Sequence, residues 1–521
     1  MLFAMPSPPN VLLIMTDQHS AEVAGFAGDA VVQTPHLDEL AAESVRFSCA
    51  VSPSPVCTPA RMCLMTGREP QRCAAWGNHW IIFPEVMTWP RHFANHGYAT
   101  ALVGKMHFGG ADQMQGFGAR PYGDLRHGLG HQPDPLAMFP GYAGPQSAGV
   151  TEIPESLLAD TVTSTEAVAW ASEQSDREPE RPWFMVASYG RPHPPLTAPA
   201  RYLARYRGWV EAPPAPDLEA LEPYARELAA NKGYTDMSVE QRTAAVEAYY
   251  ACVDYVDDCI GDLLRGLRRW GALDNTIVIY TADHGEMLGR HGMWNKAVYY
   301  EPATAIPLFI GGPGVTEVPR RVDSPISLID LFPTVSAMCG LPAPEGVDGV
   351  DFSRVLGQDF LFAGAPRDVA CSLYTKYGGR IAHNRVNEEQ MLAGGHAAMR
   401  LARSARWKYV DIERGDRLLF DLQAAPGELT NLAADPAHAD TCNELRGALE
   451  AQGSWDDLRA QLEHDRQRVP ELASGRAPST PNQYQLPDGR VFDAEAGLYG
   501  ARWLPYQPGS ETGGIIPQQF G

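Results

Sequence analysis

The amino-acid sequence predicts an α/β protein with a large doubly wound, mostly parallel sheet flanked by helices, plus a smaller C-terminal antiparallel α+β domain. Over roughly 360 residues, short apolar runs alternate with helical patterns, the order typical of a sheet covered by helices on both faces. Beyond about residue 366, strand candidates follow one another before a single helix candidate, as in a small α+β unit. The chain of 521 residues is long enough for two or three such units.

The apolar runs of the first region are predicted to form buried parallel strands. They are Val11–Met15, Ala101–Val103, Phe184–Ala187, Thr276–Tyr280 and Leu308–Ile310. The clearest helical pattern runs from about Ser238 to Trp270, where apolar residues recur at spacings of three and four. Ser238 and Gln241 form a capping-box pattern at its start, and Gly271 stands just past its end.

The second region is predicted to contain four short strands and then one helix, from about Ala437 to Ala451. The strands are Val369–Leu373, Ala397–Ala402, Trp407–Ile412 and Leu418–Leu422. The remaining segment is rich in Gly, Pro and Gln, and its Trp503, Tyr506 and Phe520 favour an arm docked on the core or a neighbouring subunit. A disordered tail is an almost equal alternative. We therefore divide the chain into residues 1–365, 366–480 and 481–521.

Composition and charge exclude several classes of protein. The formal net charge is −21 and the pI about 5.1, so the chain repels nucleic acid and anionic membranes, and neither is an expected partner. The nine cysteines are an odd number without a C-x-x-C pair, which favours a reduced chain over a disulfide framework or zinc site. The N-terminus MLFAMPSPPN has no basic segment, and no stretch approaches a membrane span. We therefore expect a cytoplasmic location.

The segment Cys57-Thr58-Pro59-Ala60-Arg61 is the first candidate for chemistry. Thr58 is predicted to be the N-cap and Pro59 the first residue of a helix. Cys57 would then lie at the positive end of the helix dipole, with Arg61 one turn along the same face. Such a position stabilises a thiolate or an oxyanion and binds tetrahedral anions. A buried structural cysteine before a helix explains these five residues equally well.

Two pairs of residues suited to binding a metal follow predicted strands. Asp17 and Gln18 stand at the C-terminal end of the first strand, where α/β sheets place their ligands. Asp283 and His284 stand at the end of a later strand. A divalent metal site rich in oxygen ligands needs acidic residues of this kind, drawn from distant parts of the chain. Each pair alone could equally serve as a turn or a helix cap.

Together these motifs resemble the sulfatase family. Its members carry C-x-P-x-R at an active-site cysteine that is oxidised to formylglycine, and the resemblance here continues from Leu64 to Arg68. The family also pairs Asp-Asp or Asp-Gln near the N-terminus with a later Asp-Asn or Asp-His. Residues Pro426 to Leu432 look like its C-terminal signature D-P-x-E-x-x-N-L, although Ala425 replaces the Asp. The resemblance thus covers the chain from about residue 8 to residue 455.

The resemblance implies one divalent metal ion and an oxidised nucleophile. Asp17, Gln18, Asp283 and His284 are the implied ligands, and the formylglycine (3-oxoalanine) oxygen of Cys57 completes the shell. Gln18 and His284 stand where the best-known calcium-binding members have Asp and Asn, which weakens the case for Ca²⁺ and admits Mn²⁺. We rank Ca²⁺ first and Mn²⁺ as its alternative. A formylglycine-generating enzyme is implied as a transient partner.

Arg61 and four further residues fit the family's anion-binding and proton-transfer set. Lys105 and His107 follow a strand candidate, and an extended backbone would point both into one pocket. His193 lies on a proline-rich loop after another strand, and Lys296 follows the second metal pair. Each of them alone could be an ordinary loop or surface residue. Together they follow the order of the family's residues along the chain and stand in similar motifs, which favours a functional interpretation. Arg61, Lys105 and Lys296 would neutralise an anionic ester on this acidic protein.

The resemblance implies hydrolysis of sulfate monoesters to an alcohol and inorganic sulfate. One hydroxyl of the hydrated aldehyde attacks sulfur while His193 or Lys296 assists the departing alcohol, and His107 then takes the proton that triggers sulfate release. The alternative is a phosphonate monoester or phosphodiester hydrolase on the same scaffold. Lys105 and His107 favour sulfate, because phosphonate enzymes typically carry smaller polar or aromatic groups there. An inactive scaffold protein is disfavoured because every expected position is filled.

The natural substrate is less constrained than the chemistry. Asn78, Trp294 and Tyr374 are candidate substrate-lining residues near the motifs. The expected ligand is a small anionic sulfate ester, and the sequence does not distinguish aryl, carbohydrate and choline esters. The aromatic tail favours a homo-oligomer.

Overall fold

The computed structural model describes residues 8–78, 80–109, 112–123, 144–232, 234–316, 320–357, 364–375, 398–474, 483–485 and 491–493. Its first region contains twelve strands. These are β1 (Asn10–Asp17), β2 (Val45–Phe47), β3 (Ala50–Val51), β4 (Ala99–Gly104), β5 (Ala119–Tyr122), β6 (Gly149–Val150), β7 (Trp183–Pro192), β8 (Thr197–Ala198), β9 (Thr276–Ala282), β10 (Leu308–Gly311), β11 (Arg320–Val322) and β12 (Ile326–Ser327).

Helices cover this region on both sides. They are α1 (Pro35–Ala42), α2 (Cys57–Thr66), α3 (Trp89–Asn95), α4 (Ala159–Arg177), α5 (Ala200–Tyr206), α6 (Pro223–Lys232), α7 (Val239–Arg269), α8 (Glu301–Thr304), α9 (Leu331–Met338) and α10 (Ser353–Leu356). Within the described residues, no helix combines the length and the apolar character that crossing a lipid bilayer requires.

Eight of these strands form one sheet in the order β11-β2-β10-β9-β1-β7-β4-β5. The run from β9 to β5 is parallel throughout, and this confirms the predicted mostly parallel sheet. In contrast, β10 pairs antiparallel with both β9 and β2. The prediction that Leu308–Ile310 is a parallel strand is therefore wrong. Its residues are buried on both faces, so an apolar run of this kind carries no information about strand direction.

The central strand β1 shows how the sequence builds two cores. Because successive side chains point to opposite faces of a strand, its apolar run divides between the two sides of the sheet. Val11 and Leu13 belong to one buried cluster, and Leu12 and Ile14 to the other. A strand covered on both faces needs no polar alternation, which is why this segment is apolar at every position from 11 to 15.

The long helix α7 begins and ends as its sequence predicts. Gln241 N donates to Ser238 Oγ at 3.2 Å, and Ser238 N donates to Gln241 Oε1 at 2.9 Å, which confirms the capping box. Gly271 follows the helix with a φ of 65°, the left-handed conformation that glycine adopts without strain. The apolar stripe of this helix covers one face of the sheet, with Tyr249, Cys252 and other residues in that core.

The C-terminal region forms a separate antiparallel sheet and two helices. Its elements are β13 (Ala370–Tyr374), β14 (Met399–Arg403), β15 (Trp407–Ile412), β16 (Arg417–Asp421), α11 (Ala439–Glu450) and α12 (Trp455–Ser474). The four strands pair in sequence order, which confirms the predicted α+β arrangement. Helix α12 was not predicted. Its Asp465 accepts a hydrogen bond from Trp76 Nε1 at 2.8 Å, and its Leu458 and Leu462 join the main core.

The boundaries at residues 365 and 480 stay predictions. In the last segment the structure describes only two short paired strands, β17 (Gln483–Gln485) and β18 (Val491–Asp493). Trp503, Tyr506 and Phe520 lie outside the described residues, so the docking arm also stays a prediction.

Candidate active site

Four adjacent strands place polar side chains at one edge of the sheet. Strands β9, β1, β7 and β4 are neighbours and parallel, so their carboxyl ends meet at the same edge. Asp17 ends β1, Asp283 follows β9, Lys105 follows β4 and His193 follows β7. Residues that are far apart in the sequence therefore come together because of the strand order alone.

Cys57 is the first residue of helix α2, which carries it to this edge. The N-cap is Val56, with an extended backbone, so the prediction of Thr58 as N-cap and Pro59 as first helical residue is wrong by two positions. Thr58 instead donates its backbone N–H to Asn78 Oδ1 at 3.0 Å and its hydroxyl to the carbonyl of His107 at 3.0 Å. The cysteine is thus held inside the first helical turn, and it is buried.

Arg61 joins the two acidic strand ends. It is fully buried, and it contacts Asp17 Oδ2 through an Nη atom at 2.9 Å and Asp283 Oδ2 through Nε at 2.8 Å. Its other Nη donates to Ser188 Oγ at 3.0 Å and to the carbonyl of Lys105 at 2.7 Å. The guanidinium therefore connects the ends of four strands and fixes both carboxylates. Burial acts to lower the pKa of Arg61, but Asp283 and Asp17 outweigh it and raise that pKa.

The carboxylate oxygens that Arg61 leaves open face a common volume with Cys57 and His284. One donor atom from each of Asp17, Cys57, Asp283 and His284 lies within 4.8 Å of the others, and all four residues are buried. The cysteine Sγ lies 3.2 Å from His284 Nε2 and 3.8 Å from Asp17 Oδ1, while His284 Nε2 is 3.6 Å from Asp283 Oδ1. Two carboxylates, an imidazole and residue 57 are a donor set that fits a divalent cation.

The ring of His284 is oriented for such a role. Its Nδ1 lies 3.0 Å from the carbonyl of Gly285, which can only accept, so Nδ1 carries the proton. The Nε2 atom then faces Cys57 and the acidic residues. A backbone carbonyl behind a histidine is the usual means of fixing the tautomer of a metal ligand.

The surrounding cations determine the charge states at the centre. Burial and the nearby Asp17 act to raise the pKa of the Cys57 thiol, but Lys296, His284 and Lys105 outweigh them and hold it well below its ordinary value. Burial likewise acts to raise the pKa of Asp17, yet the cations, with Lys105 first among them at 2.8 Å, hold it well below its usual range. The site therefore stabilises negative charge at Cys57 and Asp17 despite the acidity of the whole chain, whereas burial raises the pKa of Asp283.

Gln18 and Lys296 contact each other beside the four clustered donor residues. Lys296 Nζ donates to Gln18 Oε1, and Gln18 Nε2 donates to Glu286 Oε2. Gln18 therefore stands next to the donor cluster, as expected for the residue after Asp17. The role of Gln18 as a metal ligand stays a prediction.

His193 reaches the site from a loop that another residue pair holds in place. Its Nδ1 donates to the carbonyl of Pro194 at 2.6 Å, and its Nε2 lies 3.9 Å from Asp17 Oδ1. Burial, and then Lys105 and Lys296, lower the pKa of His193 to about 4. The imidazole is thus surrounded by cations and directed towards the centre.

Asp160 and Arg191 fix this loop, and the sequence did not single out either one. Asp160 lies in α4, and its Oδ1 accepts from the backbone N–H of Gly190 at 2.6 Å. Its Oδ2 lies 3.0 Å from a guanidinium nitrogen of Arg191, and both side chains are buried. No sequence motif identified Asp160, because a carboxylate in a helix is usually exposed to solvent. Its contacts with the end of β7 form only in the folded protein. Ser188 was also missed, because its contact with Arg61 likewise forms only in the folded protein.

The backbone around His107 differs from the extended form expected for this pair. Gly104 has a φ of 94° and His107 a φ of 57°, both in the left-handed region. A Cβ on Gly104 would lie 1.9 Å from the carbonyl oxygen of Ser188, so only glycine fits where the chain leaves β4. The turn places Lys105 against Asp17 and presents the His107 carbonyl to Thr58. The extended-backbone argument was therefore wrong.

The three candidate lining residues have different surroundings. Asn78 is partly buried and contacts the start of α2. Trp294 is 1% exposed and packs in the core that covers one face of the sheet, and its contact with a substrate stays a prediction. Tyr374 ends β13 and packs beside the buried cluster in which the C-terminal sheet meets α6 and residues 287–303. Contact of Asn78 or Tyr374 with a substrate stays a prediction.

Comparison with known proteins places the chain among sulfatases. The family model described as Sulfatase matches residues 9–341, and the model described as N-sulphoglucosamine sulphohydrolase, C-terminal, matches residues 289–454. A choline-sulfatase of Rhizobium meliloti (strain 1021) is 30% identical over 453 residues, which are 82% of this chain and 83% of that protein. An uncharacterized sulfatase of Escherichia coli (strain K12) is 31% identical over 85% of this chain and 86% of its own.

Solved structures share the fold at lower sequence identity. BT4656, solved in complex with its substrate D-glucosamine-2-N,6-O-disulfate, matches with a TM-score of 0.68 at 21% identity, over 88% of this chain and 98% of its own. The phosphonate monoester hydrolase of Agrobacterium radiobacter matches with a TM-score of 0.69 at 23% identity, over 93% of this chain and 99% of its own. These two matches support the architecture alone.

A buried cysteine among carboxylates and cations, at the carboxyl edge of a parallel sheet, is an arrangement typical of hydrolases of anionic esters. Since the first family model spans well over half of the chain, the protein belongs to the sulfatase family, and it is a sulfuric ester hydrolase.

Proposed function

We propose that this protein hydrolyses sulfate monoesters with Cys57, oxidised to formylglycine, as its nucleophile and one divalent cation as its cofactor. The observation that supports this most directly is the meeting of Asp17, Cys57, Asp283 and His284 within 4.8 Å, with Arg61 behind both carboxylates. The ligand we propose is a small anionic sulfate ester, and the formylglycine-generating enzyme is a transient partner.

Asp17, Asp283 and His284 would hold the cation, with Gln18 beside them. Bound there, the cation supplies positive charge against the sulfate oxygens and lowers the pKa of the attacking hydroxyl. We place Ca²⁺ first because two carboxylates and an amide oxygen are hard ligands, and Mn²⁺ second because one ligand is an imidazole.

The charged and titratable residues around residue 57 would position the ligands, balance the charge of the ester and transfer protons. Arg61 holds the two carboxylates in place, and Lys105 and Lys296 balance the negative charge of the ester. Once hydrated, the oxidised side chain of residue 57 offers one hydroxyl to attack sulfur and a second through which sulfate is later released. His193 or Lys296 gives a proton to the leaving alcohol oxygen, and His107 takes the proton of the second hydroxyl.

A direct comparison of substrates tests the reaction class. We expect kcat/KM for an aryl sulfate to exceed that for an aryl phosphonate monoester with the same leaving group, because Lys105 and His107 stand where phosphonate enzymes typically carry smaller polar or aromatic groups. One preparation, matured in a host that supplies the oxidising enzyme, serves both assays. A larger kcat/KM for the phosphonate would instead support the alternative function, phosphonate monoester or phosphodiester hydrolysis.

Removal of divalent cations is expected to abolish turnover and to lower the melting temperature. Without a cation, the carboxylates of Asp17 and Asp283 lose part of their charge compensation. A ligand at a hundred times its Kd stabilises the folded state by about 2.7 kcal/mol, so the shift should be readily measurable. Thermal unfolding and kcat are measured after chelation and then after adding Ca²⁺ or Mn²⁺.

The matched control is Asp283→Asn, whose melting temperature should respond much less to the chelator. Greater recovery of kcat with Mn²⁺ than with Ca²⁺ would reverse our ranking of the two ions. Chelated protein that kept full activity would contradict the cofactor itself.

A further inference from the structure

The backbone of Gln18 is held in an unusual conformation by contacts from two other elements. Its φ is 66°, a left-handed value that a residue with a long side chain adopts rarely. Tyr249 of α7 donates its hydroxyl to the Gln18 carbonyl at 2.7 Å and accepts from Ser20 N at 2.8 Å. Gln18 N donates to Asp283 Oδ1 at 3.0 Å. The main chain at Gln18 is therefore held in place, and the orientation of the amide group depends on the partners of the side chain.

The two ends of that amide meet opposite partners. Gln18 Oε1 accepts from Lys296 Nζ, while Gln18 Nε2 donates to Glu286 Oε2 and to Asn295 Oδ1, the latter at 3.3 Å. An ammonium can only donate and a carboxylate can only accept. The network therefore admits one of the two amide orientations, the one with the carbonyl oxygen towards Lys296.

Glu286 is well placed to impose this orientation. It is buried, and its Oε1 accepts from the backbone N–H of Leu288 at 2.9 Å and of Asn295 at 2.6 Å. These two bonds fix the plane of the carboxylate and leave Oε2 facing Gln18. The loop that carries Glu286 also carries Lys296. The Glu286 carboxylate therefore contacts both the backbone next to Lys296, through Asn295, and the side chain of Gln18.

We infer that Glu286 is a positioning residue: it fixes the Gln18 amide so that its carbonyl oxygen faces Lys296 and the catalytic centre. This inference rests on the proposed function, because it assigns Glu286 to the same site. Glu286 itself acts through Gln18, and without this carboxylate the amide could turn its NH₂ group towards the ammonium.

The variant Glu286→Gln separates this role from simple packing. Its carbonyl oxygen can still accept from Leu288 and Asn295, but its NH₂ group now faces the NH₂ group of Gln18. The Gln18 amide should turn, and kcat/KM for an aryl sulfate should fall roughly 10- to 100-fold, as for other residues that orient metal ligands. The fall should lie mainly in kcat, since the bulk of the pocket is unchanged.

The exchange of the two side chains provides the decisive comparison. In the double variant Gln18→Glu/Glu286→Gln, the amide donates across the same contact and the carboxylate accepts from Lys296, so most of the lost kcat/KM should return. Gln18→Glu alone puts two carboxylates face to face and should also be impaired. Glu22→Gln, at an exposed glutamate that pairs with Arg290, is the matched control and should behave as the wild type.

A second measurement does not depend on turnover. The free Ca²⁺ concentration that gives half of the thermal stabilisation should rise roughly tenfold in Glu286→Gln and fall back in the double variant. If Glu286→Gln changed neither kcat/KM nor this concentration, or if the exchange restored neither, the inference would be overturned. A wild-type protein inactive on sulfate esters would instead refute the proposed function, while the calcium titration would still test Glu286.

Discussion

Replacement of Cys57 by alanine is expected to lower kcat on an aryl sulfate by roughly 10⁴-fold or more, the scale seen when a covalent nucleophile is removed. The reason is positional, because Cys57 Sγ lies among Asp17, His284 and the cations, where no other side chain replaces it. Steady-state kinetics on matured protein measure the effect. Hydrolysis by Cys57→Ala at the wild-type rate would rule out residue 57 as the nucleophile.

Cys63 offers a matched control on the same helix. Its side chain is buried in the core, with Sγ 3.8 Å from that of Cys73, and it makes no contribution to the site we propose. Cys63→Ala should therefore keep kcat within about twofold, although its loss of packing should lower the melting temperature slightly. Mass spectrometry of the peptide containing residue 57 completes the test, since only a matured protein should show an aldehyde in place of the thiol.

The sequence was most informative where a physical constraint is local. The capping box at Ser238 and the apolar run from Val11 to Met15 each depend on a few neighbouring residues, and the structure has both as predicted. The four donor residues were also identified, because Asp17 and Asp283 each stand at a strand end and parallel strands share their carboxyl edge. Their chemical roles are still predictions, although their proximity is observed.

The sequence was least informative where a constraint spans the fold. Glu286 acquires its contact with Gln18 only when β1 and β9 pair, and Asp160 meets Arg191 only when α4 packs beside β7. The backbone turn at His107 is dictated by the approach of Gly104 to Ser188 on the next strand. An extended backbone was the natural expectation, since nothing within residues 104–107 excludes it.

Replacement of Arg61 by methionine is expected to lower the free energy of unfolding by about 3–5 kcal/mol, the cost of leaving a buried charge without its partner. Arg61 is fully buried and compensates both Asp17 and Asp283, so its loss leaves Asp283 without its guanidinium partner and Asp17 with Lys105 in its place. Arg61→Lys should recover only part of this, because one ammonium cannot span both Oδ2 atoms. Urea unfolding in the presence of a chelator measures the effect.

A control variant and a compensating variant test whether the loss of stability in Arg61→Met comes from an uncompensated buried charge. Arg201→Met removes an exposed ion pair with Glu155, worth about 0–1 kcal/mol, and should change stability little. Arg61→Met/Asp283→Asn should be more stable than Arg61→Met, because it removes the charge of the carboxylate that has lost its guanidinium partner. Added Ca²⁺ should also restore part of the loss. An Arg61→Met protein as stable as the wild type would mean that at least one of the carboxyl groups of Asp17 and Asp283 is neutral, which would leave the divalent cation of the proposed reaction with fewer charged ligands than we propose.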